Sequence, residues 1–190
     1  MPPTVSNVDP ELHYIAPTPH VPNSKLPVLI YRKVLSGWSH NDLIDLMNKN
    51  GWKKSGQWKT YKEAHFHTNI QECYVVISGS TLYSLGKSPI DPEKNEEGNE
   101  NGIKVTLNEG DCFMLPAGVS HCSIESEGDY EHMGFVVNDA PQWDMNFCKD
   151  DSEMTRIKAK ACAELPIPTT DPVYGAGGAL PKIWREIEGR

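Results

Sequence analysis

Several features that would indicate a membrane or nucleic-acid partner are missing from this sequence. No uninterrupted apolar run approaches the roughly 18 residues of a transmembrane helix. The first residues lack the basic start and the apolar stretch of a secretory signal peptide. No run of lysine and arginine is present to neutralise phosphates, and the net charge is -8. We therefore expect a cytoplasmic protein that binds neither nucleic acid nor membranes.

Cysteine is scarce, and the spacing of the cysteines does not indicate a metal site. The five cysteines are Cys73, Cys112, Cys122, Cys148 and Cys162. No two of them form a CxxC pair, so a thiolate zinc site and a dithiol redox motif are not expected. The odd number and the absence of a signal peptide favour reduced thiols.

The length of 190 residues suits one domain, and we divide it into three parts. Residues 1–62 are expected to form a proline-rich N-terminal arm and a helix. Residues 63–138 are expected to form a barrel core, and residues 139–190 a C-terminal helix and tail. The first helix is placed at about residues 40–50, with Ser39 as its cap. The second is placed at residues 150–164.

The central part of the chain has the residue pattern of an all-β protein. Short β-rich runs alternate with turn residues from about 63 to 138, which predicts successive antiparallel hairpins. The acidic stretch 86–102 is interpreted as a solvated loop between two strands. In the C-terminal helix, Met154, Ile157 and Ala161 are expected to line one packed face.

Three histidines and one glutamate form a pattern that indicates a metal site. His65 and His67 are two residues apart, so on a strand both imidazoles face the same side. Glu72 follows at the start of the next apolar run, and His121 comes after a Pro-x-Gly turn. Three imidazoles and a carboxylate suit one divalent transition metal ion: iron, manganese, nickel, copper, cobalt or zinc. Such a set leaves open positions for water, dioxygen or substrate.

The complete spacing resembles the two motifs of the cupin superfamily. His65, His67 and Glu72 match the metal ligands of the first motif, and His121 matches the ligand of the second. Four further residues match turn positions: Gly79, Gly110, Pro116 and Gly118. The resemblance implies a double-stranded β-helix, a small antiparallel β-barrel or jelly roll, with an N-terminal arm and a few flanking helices. Two motif positions differ, since Lys59 replaces a glycine and Glu125 replaces an asparagine, but neither is a ligand in the family.

Residues outside the motifs extend the resemblance to single-domain YjlB-like cupins. The segments are 22–31, 50–52 and 166–175. That group has no general assigned reaction. We expect a metal-dependent enzyme acting on a small molecule, of dioxygenase type or of isomerase or cyclase type. The alternative is a non-catalytic metal-bearing protein that binds a small molecule. A homodimer is expected by analogy with other cupins.

Two further residues are candidates for catalysis. Tyr74 shares the alternating face of Glu72, where it either contacts a ligand or serves as a core tyrosine. His132 either acts as an acid–base group or simply lines the barrel. The five tryptophans are expected to pin the arms onto the barrel. They are Trp38, Trp52, Trp58, Trp143 and Trp184.

Overall fold

The computed structural model describes residues 3–189, and in that part of the chain it contains seven strands and three helices. The strands are β1 (Glu11–Ile15), β2 (Ser24–Tyr31), β3 (Trp52–Trp58), β4 (Glu72–Leu85), β5 (Ile103–Asn108), β6 (Cys112–Leu115) and β7 (His121–Val137). The helices are α1 (His40–Lys49), α2 (Ser152–Ala163) and α3 (Ala179–Glu188). The all-β prediction with flanking helices is confirmed.

All seven strands belong to one antiparallel sheet that curls into a half-barrel, called the barrel below. Its hydrogen-bonded order is β1-β2-β6-β4-β7-β3, and β5 pairs with β4 beside this path. The long strands β4 and β7 pair along most of their length. On its other side β4 pairs first with β6 and then with β5. These two long strands therefore form the wall from which the site is built.

Side chains along β4 alternate between two hydrophobic cores, one inside the barrel and one outside it. Tyr74 and Val76 belong to the cluster that fills the barrel, as the sequence predicted. Cys73 and Val75 point to the other side, where they pack with residues of α1 and α3. Both faces of the strand are buried over residues 72–76, so this part of the strand has a nearly continuous apolar sequence.

The helices near 40–50 and 150–164 are confirmed, but one predicted helix face is wrong. Ser39 caps α1, and its hydroxyl accepts a hydrogen bond from the backbone of Asp42 at 3.2 Å. In α2, however, Met154 and Ile157 are 43% and 52% exposed. The buried residues of α2 are Thr155 and Cys162. This helix lies on the surface and buries a narrow, partly polar side instead of its largest apolar residues.

Strand β3 was not expected from the sequence, although it forms one edge of the sheet. It pairs with β7 from Trp52↔Val137 to Trp58↔His132. Two lysines, a serine and a glycine interrupt its apolar residues, which conceals the alternation. Its last residue reaches the interior of the barrel. No helix within residues 3–189 is long and apolar enough to cross a membrane.

Candidate metal centre

Backbone pairing brings the two histidine segments of the chain together. His65 and His121 form an antiparallel bridge, in which the amide of His121 donates to the carbonyl of His65 at 2.9 Å. The amide of Gly118 donates to the carbonyl of His67 at 2.9 Å. Gly118 has a φ of 87°, and a β-carbon there would lie 2.8 Å from the carbonyl oxygen of Asn23. A glycine is therefore needed at the turn that delivers His121.

All four predicted ligands converge inside the barrel. The ligating atoms of His65, His67 and His121 lie within 4.8 Å of one another. Oε2 of Glu72 lies 3.2 Å from Nε2 of His67 and 3.8 Å from Nε2 of His121. None of these four residues is more than 7% exposed. The structure thus assembles the constellation that the spacing indicated, from segments up to 56 positions apart.

Hydrogen bonds orient the three imidazole rings in the same way. In each ring, Nδ1 faces a backbone carbonyl oxygen. The carbonyls of Glu63, Asp144 and Val119 face His65, His67 and His121, respectively. A carbonyl can only accept, so Nδ1 of each ring carries a proton, and Nε2 is the nitrogen that becomes a ligand when the ring is neutral. This arrangement is typical of metal-binding histidines, whose second nitrogen is held by an outer partner.

The pKa values of the imidazoles are governed by burial and by their neighbours. Burial lowers the pKa of His65, and burial together with the nearby His65 and His67 holds the pKa of His121 well below its ordinary value. Burial also opposes protonation of His67, but the Glu72 carboxylate outweighs it and raises the pKa of His67. Two of the three rings therefore stay neutral at physiological pH, which is the form that ligates metals.

The residues present fit a transition metal ion. Oε2 of Glu72 is buried and has no well-formed hydrogen bond among the described residues. A buried, unsatisfied carboxylate oxygen is costly unless a cation or a proton meets it. It faces the same space as the Nε2 atoms of His67 and His121. Nitrogen and carboxylate donors in this ratio suit the divalent metals named above.

Asp144 supports the site, although the sequence did not indicate it. Its carbonyl oxygen accepts from His67, and its carboxylate accepts from the backbone and hydroxyl of Thr68 at 2.8 and 2.7 Å. The side-chain amide of Asn146 donates to it at 2.8 Å. Asp144 follows β7 in an irregular segment, where no periodicity marks it. Only the tertiary fold brings it to His67.

A cavity of about 120 Å³ opens beside His65, His67 and Glu72. Beyond His65, His67 and Glu72 it is lined by Trp58, Tyr61, Tyr74, Tyr83, His132, Trp143 and Met145. Trp58 and Trp143 were expected to anchor the arms; their rings pack edge to face with centroids 6.4 Å apart, and both also line this cavity. Trp58 enters the barrel because β3 ends at the cavity. Trp52 and Trp184 are fully buried in the outer core, as expected of anchors.

The two candidate catalytic residues both line this cavity. The hydroxyl of Tyr74 lies 3.3 Å from Nε2 of His121. His132 is 2% exposed, and its ring stacks on Tyr130 with centroids 5.4 Å apart. Nδ1 of His132 has no hydrogen-bond partner among the described residues. Burial lowers the pKa of His132 to about 4, so its ring is neutral near pH 7.

No protein-family model matches this chain, but individual known proteins are similar to it. The chain is 24% identical to the uncharacterized protein YjlB of Bacillus subtilis over 165 residues, which are 86% of this chain and 90% of that protein. It is 23% identical to an acireductone dioxygenase of Heterostelium pallidum, over 56% of this chain and 65% of that enzyme. The structure of RmlC from Streptococcus suis in complex with dTDP-D-xylose is 11% identical, with a TM-score of 0.35 over 72% of this chain and 75% of that one. The chain thus spans most of the bacterial relative but less than two thirds of the dioxygenase.

Proposed function

Because this chain belongs to the cupin superfamily, we propose that it is a metal-dependent enzyme that oxygenates a small molecule bound in the aromatic cavity. The observation that carries the proposal is the common orientation of three buried imidazoles, each held at Nδ1 by a backbone carbonyl so that Nε2 is the nitrogen that would meet a metal ion. The partial similarity to acireductone dioxygenases supports an oxygenase over other metal cupins.

His65, His67, Glu72 and His121 would hold one divalent transition metal ion. The bound ion would supply Lewis-acid activation and, for iron or copper, redox chemistry toward dioxygen. The protein contributes a buried set of ligands, and backbone carbonyls fix the orientation of its three histidine rings. It also contributes the cavity, whose largely apolar walls would surround a substrate next to the ligands.

The lining of the cavity indicates the kind of molecule it accepts. Trp58, Tyr61 and Trp143 present aromatic surface, which favours flat or apolar ligands. No lysine or arginine within residues 3–189 lines the cavity, so nothing there would neutralise a phosphate. The substrate is therefore a small, largely planar molecule whose oxygen atoms reach the metal position.

Tyr74 and His132 would position this substrate. The Tyr74 hydroxyl is a donor placed 3.3 Å from a ligand nitrogen, so it can instead donate to an oxygen atom bound next to it. The neutral His132 ring lines the same cavity, and its Nδ1 is buried without a hydrogen-bond partner among the described residues. Both roles are hydrogen-bonding roles in a buried site, where an unmet donor or acceptor is costly.

The test begins with protein purified as it is made and analysed for bound metal by mass spectrometry. Oxygen uptake is then followed with a panel of small enols, phenols and 2-oxo acids, using protein reloaded separately with iron, nickel, manganese or zinc. We expect about one metal per chain, uptake with a redox-active metal, and both atoms of labelled dioxygen in the product. The zinc-loaded protein is the control and should consume no oxygen.

Three outcomes would point elsewhere. Substrate conversion without oxygen uptake would indicate isomerase or cyclase chemistry. Tight binding without conversion would indicate a metal-bearing binding protein. Full metal content in a Glu72→Gln, His121→Ala double variant would contradict the metal centre itself. The cytoplasmic location and the homodimer remain predictions, and size-exclusion chromatography with light scattering tests the latter.

A further inference from the structure

A second concavity, on the outside of the barrel, is lined by lysines that are far apart in the sequence. Its lining includes four lysines, namely Lys62, Lys87, Lys104 and Lys149, together with one acidic residue, Glu63. Its volume is about 400 Å³. The four lysines come from separate segments of the chain, which is why no basic cluster is visible in the sequence.

The floor of this lysine pocket is the outer surface of three neighbouring strands. Ser84 in β4 pairs with Lys104 of β5 on one side and with Cys122 of β7 on the other. The preceding residue, Tyr83, packs inside the barrel and lines the metal cavity. Adjacent side chains on a strand point to opposite faces, so the sheet separates the lysine pocket from the metal cavity.

Nearby carboxylates compensate only part of the positive charge. Glu93 pairs with Lys87, and Oε1 of Glu63 lies 3.9 Å from Nζ of Lys149. Within residues 3–189, neither Lys62 nor Lys104 forms an ion pair. Lys62, Lys104 and Lys149 are exposed, so water screens their mutual repulsion, and an anion that enters the pocket would be attracted by the positive charge that the carboxylates leave uncompensated.

We propose that the lysine pocket binds a small metabolite carrying two or more closely spaced negative charges, on a phosphoryl group or on several carboxylates. The hydroxyl-bearing Ser84 lies on the floor and can donate to such an oxyanion. Ile124, Pro89 and Phe147 form apolar parts of the wall, which can contact the carbon skeleton of the same molecule. This proposal does not depend on the reaction at the metal centre.

A small anion fits better than a long polyanion. The loop after β4 exposes Glu93, Glu96, Glu97 and Glu100, and Glu93 pairs with Lys87. An extended nucleic acid leaving the pocket would meet these carboxylates and the acidic remainder of the surface. A compact ligand would stay within the basic concavity and avoid them.

The experiment titrates the 190-residue chain with inorganic phosphate and, separately, with tricarballylate, by isothermal titration calorimetry. Tricarballylate has no hydroxyl group and is a weak chelator, so it disturbs a bound metal little. The test variant is Lys62→Gln, Lys104→Gln, Lys149→Gln. The control removes the same charge from exposed lysines elsewhere, as Lys25→Gln, Lys49→Gln, Lys160→Gln.

We expect the test variant to weaken binding of at least one probe by about tenfold or more, and the control by less than about twofold. The probe that binds more tightly distinguishes a phosphoryl from a carboxylate ligand. Equal weakening in both triple variants, or no binding of either probe to the native protein, would overturn the proposal. Tighter binding of a single-stranded oligonucleotide than of either probe would also overturn it.

Amide chemical shifts of the native protein provide a test that needs no variant. The addition of the bound probe should shift residues 62–64, 84–89, 122–124 and 147–149. Shifts confined instead to the metal cavity, around Trp58 and Tyr61, would show that the anion binds the metal centre and would contradict a separate site.

Discussion

At the scale of single residues, the precision of the candidate metal centre depends on atoms that are not ligands. Asp144 holds the carbonyl oxygen that orients His67, because its carboxylate is tied to Thr68 and Asn146. We predict that Asp144→Ala lowers metal affinity by about tenfold, as loss of an outer partner of a ligating histidine commonly does. Competition with a chromophoric chelator measures the metal affinity of each variant. Asp144→Asn keeps one oxygen acceptor and should recover part of the affinity, whereas equal loss in both variants would contradict a positioning role.

A second prediction at this scale concerns the pH dependence of stability. Burial lowers the pKa of His132 to about 4, whereas an unfolded histidine titrates near 6.5. Above pH 6.5 both states are neutral, and as the pH falls from 6.5 toward 4 only the unfolded state gains the proton. The free energy of unfolding should therefore fall by roughly 3 kcal/mol over this window. His132→Phe should flatten that part of the profile in urea unfolding measured at a series of pH values.

The other buried imidazoles are present in both proteins, so the difference between the two profiles isolates His132. Phenylalanine keeps the contact with Trp58, Tyr74 and Tyr130. It also removes a ring nitrogen without a hydrogen-bond partner among the described residues. The variant should thus be at least as stable as the native protein at pH 7. Parallel profiles for the two proteins would show that His132 titrates normally.

At the scale of elements, the passage of β4 from one partner to the next depends on Gly79. Its φ is 64°, and a β-carbon there would lie 2.2 Å from the carbonyl oxygen of Glu127 and 2.5 Å from that of Gly128. We predict that Gly79→Ala destabilises the protein by about 3 kcal/mol, from backbone strain together with the collision against β7. Chemical unfolding followed by tryptophan fluorescence measures the loss.

Gly98→Ala is the matched control for this substitution. Gly98 also has a positive φ, of 85°, but a β-carbon there has no atom within 4 Å. We expect a loss of only about 1 kcal/mol from the conformational strain alone. A similar loss for both variants would mean that the contact with β7 adds nothing to the role of Gly79.

At the scale of the whole molecule, a buried carboxylate fastens the C-terminal tail to the barrel. Asp171 is fully buried and accepts a hydrogen bond from the hydroxyl of Tyr31 in β2. It also accepts from the amides of Val173, Tyr174 and Leu180, at 2.9, 3.1 and 3.1 Å. Leu180 lies in the first turn of α3, whose N-cap Gly178 has no side-chain hydrogen bond of its own. The Asp171 carboxylate therefore caps the N-terminus of α3, although Asp171 lies outside the helix in the sequence.

We predict that Asp171→Ala destabilises the protein by about 3 kcal/mol or more, because several buried donors lose their acceptor. Tyr31→Phe removes only one of these hydrogen bonds and should cost about 1 kcal/mol. Urea unfolding of both variants makes the comparison. A smaller loss for Asp171→Ala than for Tyr31→Phe would contradict this account of the tail.

The fold as a whole leads us to propose a single domain over the entire chain. Strands β1, β2 and β3 come from residues 1–62 but pair within the same sheet as β4 to β7. The outer core joins α1 and α3 to that sheet. We predict one cooperative unfolding transition, with equal van't Hoff and calorimetric enthalpies. Two resolved calorimetric peaks would show that the N-terminal segment or the tail unfolds independently.

Sequence alone was sufficient for the all-β class and for the four candidate ligands. Alternation places His65 and His67 on one face, and the turn residues mark where His121 begins a strand. These are local properties, since two residues on one strand share a face wherever the strand lies in the fold. The helix capped by Ser39 follows from equally local chemistry.

The tertiary structure decided which other side chains surround those ligands. Asp144, Trp58 and Trp143 come from segments without a clear period, and pairing partners far along the chain determine where they point. The same holds for the lysine pocket, whose residues come together only when β4, β5 and β7 lie side by side. Contacts between distant segments depend on the register of strands and the path of loops, and neither is encoded by short-range periodicity.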